Sequence, residues 1–285
     1  MLFRGQDSRG VGIVGVGMIG GSIALAALRA GHPVSLYDSI ACGALTESRF
    51  RGASIVSSLA ELVSHSRLII LAVPIGALAE VGRALAQLVQ PGQVVSDVAS
   101  VKQPAVSALV DRLRDRCDYV PSHPMAGSEK SGAQAARDDL FDGAVTLISG
   151  ELARDPASVK LVNDFWTALG TRVVSVRVPE HDKMVALMSH LPHLLAALLV
   201  KHVWETNRDA LDFCGAGLRD TTRIASGSPG LWTDILLSNA DAVGEQVRLF
   251  RHALEDAERL LKKKDGKKLQ ALLDDAKQNR DRLSP

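Results

Sequence analysis

A histidine clasped between a serine and a proline, then a run of small residues and a Glu-Lys pair, is the part of this sequence best suited to chemistry. The stretch is PSHPMAGSEKSG, residues 121 to 132. Histidine is the side chain whose unperturbed pKa lets it accept and return a proton near neutral pH, so His123 is the candidate general base. Well upstream, GVGMIGGS at residues 15 to 22 sets Gly15, Gly17 and Gly20 in G-x-G-x-x-G spacing, directly after an apolar run and before a helical pattern. The first glycine permits a tight turn, the second lets the backbone approach a pyrophosphate, and the third lets helix and strand pack closely. Met18 and Ile19 fall where the helix N-terminus offers free N–H groups and partial positive charge to phosphates. Together the two stretches indicate proton transfer beside a bound dinucleotide.

Further residues refine the cofactor. Asp38 closes the next apolar run, about twenty residues on, where a carboxylate accepts hydrogen bonds from the adenosine ribose hydroxyls and repels a 2′-phosphate. That favours NAD over NADP, although Arg49 and Arg51 are not far off. Val73 and Pro74, in AVP at 72 to 74, are expected under the adenosine ribose and pyrophosphate, or serve only to end a strand.

The elements that must position these groups follow from periodicity. Apolar runs at 11–17, 33–38, 67–74 and 93–99 read as strands, separated by amphipathic helices, the first at 22–32 with Gly31 at its C-terminal end. Near-continuous apolar strands joined by helices imply a parallel sheet covered on both faces. Later strands are expected at 144–149 and 171–178, with a helix near 156–169 between them. From His181 to Val203 apolar residues recur at helical spacing, with a kink expected at Pro192, and helices continue at 231–261 and 267–283. The fold class is α/β: an N-terminal Rossmann-type doubly wound sheet, residues 1–178, followed by an all-α domain, residues 179–285. The cleft between them is the default ligand site.

Composition excludes several classes. With 33 basic and 32 acidic residues in 285, no global field argues for nucleic acid or membrane. Cys42, Cys117 and Cys214 lie far apart, without the spacing of a disulfide framework or zinc site, so no metal is expected. Lys262, Lys263, Lys264, Lys267 and Lys268 read as a solvated helix junction rather than a polyanion site. The N-terminus lacks an apolar signal-peptide core and no uninterrupted apolar run reaches membrane-spanning length. A soluble, cytoplasmic protein is expected.

GVGMIGGS, DVASVK (97 to 102), SHPMAGSEKSG (122 to 132), SHLPHLLA (189 to 196) and RDTTRIASGSPGLW (219 to 232), in this order, resemble the prephenate and arogenate dehydrogenases of tyrosine biosynthesis. The resemblance runs through nearly the whole chain and looks like the short form without a chorismate mutase or regulatory extension. It implies NAD-linked oxidative decarboxylation of prephenate, arogenate or both, and a homodimer formed through the helical half. By resemblance His123 accepts the ring-hydroxyl proton and Ser100 supports that geometry, a role compatible with capping the helix that follows. Arg223 holds the ring carboxylate, with Arg219 as its rival. Trp232 lines the site unless it is a core residue, and His190 faces the substrate side chain, with His193 on the same helical face. Glu129 gates the pocket mouth, with Lys130 beside it, unless both are solvated charges. Two other readings stand beside this one: another two-domain dehydrogenase of the β-hydroxyacid or 6-phosphogluconate type, and an NAD-binding sensor without catalysis.

Overall fold

The computed structural model describes residues 9–39, 49–128 and 130–283, with the backbone alone at 210 and 211. Gly10–Val14 forms β1, Met18–Arg29 α1, Val34–Tyr37 β2, Ser54–Ile55 β3, Leu59–His65 α2 and Ser66–Leu71 β4. Leu78–Leu85 is α3, Val94–Asp97 β5, Lys102–Leu113 α4 and Asp118–Tyr119 β6. These six strands make one parallel sheet in the order β3-β2-β1-β4-β5-β6. The chain winds outward from β1 in one direction, then crosses to β4 and winds outward in the other. A crevice therefore opens beyond the carboxyl ends of β1 and β4, where doubly wound sheets bind their ligands.

Burial on both faces explains why the strands read as unbroken apolar runs. In β4, Leu68 and Ile70 join a layer with Ile23 and Ala27 of α1 and with Phe165 and Trp166. Their neighbours Ile69 and Leu71 point the opposite way, into a layer with Leu62, Leu85 and Leu109. Successive strand residues alternate faces, so only a sheet sandwiched between two helical layers buries all four. Gly31 sits at φ +76° after α1, the left-handed conformation that ends a helix.

A second, three-stranded sheet follows, made of Ser122–Pro124 (β7), Val145–Ile148 (β8) and Arg172–Ser175 (β9). β7 runs antiparallel to β8, and β8 parallel to β9. Pro156–Ala168 (α5) links the last two; Asp155 accepts the Ala157 N–H at its start, and Pro156 begins the helix.

Then come Val178–Val185 (α6), a π-helical turn at Ala186–His190, Leu191–Thr206 (α7), Ala216–Thr222 (α8) and Pro229–Ser238 (α9). The kink expected at Pro192 takes another form. Pro192 occupies the first turn of α7, where a missing N–H costs little, and the π turn precedes it. The helix expected over 231–261 is interrupted at Asn239, with Ala240–Lys263 (α10) and Gly266–Asp281 (α11) following. Two compact units result, Met1–Asn239 and Ala240–Pro285. In the first, α6 packs against α4.

The helical stretch Val178–Thr206 is long and apolar enough to cross a membrane by length and composition, which a reading of uninterrupted apolar runs does not register. It nevertheless buries His181, Asp182, His190 and His193 and exposes Leu187, Met188, Leu198 and Trp204.

Beneath β7 lies an ion pair. Lys102 Nζ donates to Asp97 Oδ1 at 2.5 Å and to the Ser122 carbonyl at 2.6 Å, with Lys102 and Asp97 both almost fully buried. The Tyr119 hydroxyl donates to the other Asp97 oxygen at 2.7 Å. Removing one partner of such a pair strands the other charge in the core, at a cost of roughly 3–5 kcal/mol. Lys102→Met is therefore expected to lose about that much unfolding free energy in urea titrations, and Lys102→Met with Asp97→Leu to regain part of it. A single variant as stable as the parent would contradict this.

Candidate active site

The glycine loop has the shape that a dinucleotide requires. Gly15 has φ +91°, and a Cβ there would lie 2.5 Å from the Ala72 carbonyl oxygen and 2.9 Å from a Val73 methyl. A Cβ on Gly20 would lie 1.9 Å from the Gly15 carbonyl oxygen, so only glycine lets α1 begin this close to β1. Gly17, the N-cap of α1, has nothing within 4 Å of a built Cβ and provides no side-chain cap. That open approach leaves the first N–H groups of α1, including those of Met18 and Ile19, for an anion. Asp38, just past β2, accepts the Val16 N–H at 2.7 Å, tying the strand end to the loop. Val73 and Pro74 follow β4 and begin the turn into α3. The loop, the uncapped helix start and the aspartate fit NAD.

His123 lies in the middle of β7 and is 8 % exposed. The strand is anchored by polar contacts below it: Ser122 Oγ donates to the Asp97 carbonyl at 2.7 Å and lies 2.9 Å from Ser96 Oγ. Beyond β7, Ser128 Oγ donates to Met18 Sδ at 3.1 Å, so the small-residue loop reaches the start of α1. His123 Nδ1 lies 2.9 Å from His181 Nε2, and His181 Nδ1 lies 2.7 Å from Asp182 Oδ1. Asp182 Oδ1 also accepts the Lys102 N–H at 2.7 Å, and Oδ2 the Gln103 N–H at 2.8 Å. His123 Nε2 has no hydrogen-bond partner among the described residues.

The helical side adds an aromatic wall. His190, in the π turn, has Nδ1 3.2 Å from Asn239 Nδ2, which also donates to the Asp182 carbonyl at 2.8 Å. Single-turn π segments re-aim side chains and recur at functional sites. Trp232 of α9 stacks on His193 with centroids 3.5 Å apart and planes 11° apart, and meets His190 edge-on. His193 Nδ1 is buried without a hydrogen-bond partner among the described residues. Arg223 begins the short 3-10 turn after α8, which packs on α7; it is exposed and makes no hydrogen bond or ion pair among the described residues. Arg219 is likewise exposed and makes no ion pair with Asp220 or a helical neighbour among the described residues.

Ser100 does not cap α4: the N-cap is Val101, and the Ser100 hydroxyl makes no hydrogen bond among the described residues. Glu129 lies outside the described residues. Lys130 is exposed. Sequence reasoning missed His181, Asp182, Lys102 and Asn239 as site-building residues. The adjacent His-Asp pair opening the first long apolar helix is the signal that could have found two of them.

The electrostatics follow from burial. Burial, aided by His181, Lys102 and His190, holds His123 well below the ordinary histidine range. Burial also lowers His181, against the pull of Asp182, and lowers His193; it takes His190 to about 4. For Asp182 burial opposes ionisation, but His181 and the Lys102 and Gln103 N–H groups outweigh it and keep the carboxyl below its usual value. At neutral pH the site thus holds neutral imidazoles and one ionised carboxylate.

A separate cleft of about 450 Å³, lined by Arg67, Gln93, Asp118 and Arg154 among others, contains none of these residues. It borders the amino ends of β5 and β6, away from where doubly wound sheets bind their ligands.

Comparison with known proteins gives a consistent result. Residues 23–175 match the prephenate dehydrogenase nucleotide-binding domain, and residues 178–275 the prephenate dehydrogenase dimerization domain. The cyclohexadienyl dehydrogenase of Zymomonas mobilis is 30% identical over 261 residues, spanning 88% of this chain and 86% of that protein. The prephenate dehydrogenase of Bacillus subtilis is 31% identical over 283 residues, 95% of this chain and 75% of that one. The crystal structure of prephenate dehydrogenase from Aquifex aeolicus, with hydroxyphenyl propionate and NAD+, superposes with a TM-score of 0.86 at 28% identity. It covers 99% of this chain and 100% of that one.

The histidine cluster makes stability pH-dependent. Each of these histidines is neutral in the fold but takes up a proton when unfolded below the ordinary value of 6.5. The unfolded chain then binds more protons, so stability is intact above 6.5 and falls as pH drops toward about 4. The stabilisation from Asp182, which the fold holds below its ordinary value of 3.8, is present throughout that window and is lost only beneath it. Calorimetric Tm should fall across the window and fall less steeply in His190→Gln. A Tm flat from 6.5 to 4 would contradict the reading.

Proposed function

This chain belongs to the prephenate dehydrogenase family, and we propose that it carries out the NAD-dependent oxidative decarboxylation of prephenate to 4-hydroxyphenylpyruvate, or of arogenate to tyrosine, in tyrosine biosynthesis. The carrying observation is His123, buried on β7 with one ring nitrogen engaged by His181 and the other without a partner among the described residues. When bound, NAD accepts the hydride from the hydroxyl-bearing ring carbon. Loss of the ring carboxylate as carbon dioxide leaves its bonding electrons to complete the aromatic ring, which supplies most of the driving force. The protein needs to position the substrate and take one proton, so no metal is required.

In this reading neutral His123 accepts the ring-hydroxyl proton at Nε2, and Ser100, just past the carboxyl end of β5, supports the geometry. Arg223, exposed and without a partner among the described residues, supplies a guanidinium that grips the ring carboxylate bidentately and stays charged at any working pH. Trp232 stacked on His193, with His190 edge-on, forms the wall for the side arm. Glu129, outside the described residues, keeps the gating role that the resemblance implies. Gly15, Gly17, Met18, Ile19, Gly20, Asp38, Val73 and Pro74 hold the cofactor. Residues 1–178 then serve NAD, and residues 179–285 serve substrate binding and dimerisation. The match to a dimerization domain supports a homodimer, and Leu187, Met188, Leu198, Trp204 and Leu237 are exposed apolar side chains suited to such an interface. We propose a cytoplasmic location, where NAD and the small anionic substrate are at hand.

Initial rates with prephenate and arogenate, each with NAD and NADP, test the reaction. NAD should be the working cofactor, and absence of turnover with both substrates would refute the proposal. His123→Asn is expected to keep substrate affinity and lose roughly a hundred- to ten-thousand-fold in turnover. Arg223→Ala should instead weaken substrate binding by about ten- to a hundred-fold, with NAD affinity little changed. Loss in Arg219→Ala but not in Arg223→Ala would move the role to Arg219. Light scattering on dilution should give active protein at twice the chain mass of 30.3 kDa, and a fully active single chain would refute the dimer.

A further inference from the structure

The proton that His123 must leave off Nε2 is accounted for by the two residues behind it. Asp182 Oδ1 can only accept, so the contact at 2.7 Å requires His181 to carry its proton on Nδ1. A neutral His181 then has its lone pair on Nε2, and the contact at 2.9 Å requires His123 to donate from Nδ1. His123 is left with its lone pair on Nε2, the atom without a partner among the described residues. We propose that His181 and Asp182 are positioning residues that fix the tautomer of His123 and receive the positive charge when it accepts a proton. The proposal rests on the reading of His123 as the base.

The sequence of bonds is balanced. The substrate O–H breaks as Nε2–H forms on His123; Nδ1–H of His123 breaks as Nε2–H forms on His181. The added proton ends on His181, whose imidazolium faces the Asp182 carboxylate. That carboxylate is held in place independently of the histidines. α4 opens at Val101, which has no capping side chain, and its third residue, Pro104, has no N–H. Asp182 takes the first two N–H groups of the helix from across the structure and sits at its positive end. Both His181 and Asp182 are buried, which keeps water from supplying a competing proton.

The charged and titratable groups facing this chain from the packed elements are Lys102 of α4, Asp97 of β5, Tyr119 of β6 and His190 of the π turn. Lys102 is paired with Asp97, and His190 is neutral, so the counter-charge to a protonated His181 is Asp182.

The test compares His181→Leu, which removes the acceptor, with His181→Gln, whose amide oxygen can still accept from His123 Nδ1. His181→Leu is expected to lose about a hundredfold or more in kcat, with substrate KM and NAD Kd within about threefold of the parent. His181→Gln should recover much of that loss. The double variant His123→Asn with His181→Leu should be little worse than His123→Asn alone, because the two act as a unit. In His181→Gln the proton has only His123 to rest on, without the Asp182 carboxylate that favours it on His181, so the acid limb of kcat/KM should move to lower pH. Wild-type kcat in His181→Leu, equal losses in both variants expressed through KM, or an unmoved acid limb in His181→Gln would each overturn the proposal. If His181→Leu does not fold, the acid limb of His181→Gln decides alone. Undiminished turnover in His123→Asn would instead reject the base itself, a different failure.

Discussion

One carboxylate joins α4 to the strand that carries the candidate base. Asp182 accepts two backbone N–H groups at the start of α4 and a ring nitrogen of His181, which in turn meets His123. A buried carboxylate is tolerated only when hydrogen-bonded and compensated, and the helix N-terminus does both. The constraint runs in both directions. Without α4 beginning where it does, Asp182 would protonate or turn away, and His181 would lose the partner that sets its tautomer. Without α6 docked on α4, the helix would start uncapped. Packing of the first helical segment on the sheet and the protonation state of the candidate base thus depend on the same two oxygen atoms.

The remaining parts arrange themselves around this joint. The winding of the chain across the parallel sheet reverses between β1 and β4, which opens the crevice and puts the glycine loop at its lip. Strand β7 leaves β6 for a second, smaller sheet, and the Lys102 ammonium holds it down by donating to the Ser122 carbonyl beside His123. A buried lysine close to the histidine also resists a second positive charge there. The π turn at Ala186–His190 brings His190 inward on the same helical run that presents His193 to Trp232. Polar groups with neutral or compensated charge therefore line one side, and an aromatic wall the other.

Much of this was legible in the residues. Strands β1, β2, β4 and β5 show as apolar runs because both faces of a parallel sheet are buried, and Gly15, Gly20 and Gly31 announce turns that only glycine fits. His123 stood out through its neighbours. What the sequence does not display is long-range. Strand β7 is three residues long and contains a proline, so it has no periodicity. Pro192 suggests a kink, but the preceding π turn absorbs the irregularity. Ser100 has the right residue type for a cap, yet the cap of α4 comes from Asp182, eighty positions away along the chain. His181 and Asp182 look like an ordinary polar helix start until α4 is set against them.

Nitrogen-15 NMR of histidine-labelled protein, reading two-bond couplings to the ring protons near neutral pH, tests the central claim most directly. The account predicts neutral rings at both positions, with the proton on Nδ1 of His123 and on Nδ1 of His181. A cationic His123, or a neutral His123 protonated on Nε2, would contradict it.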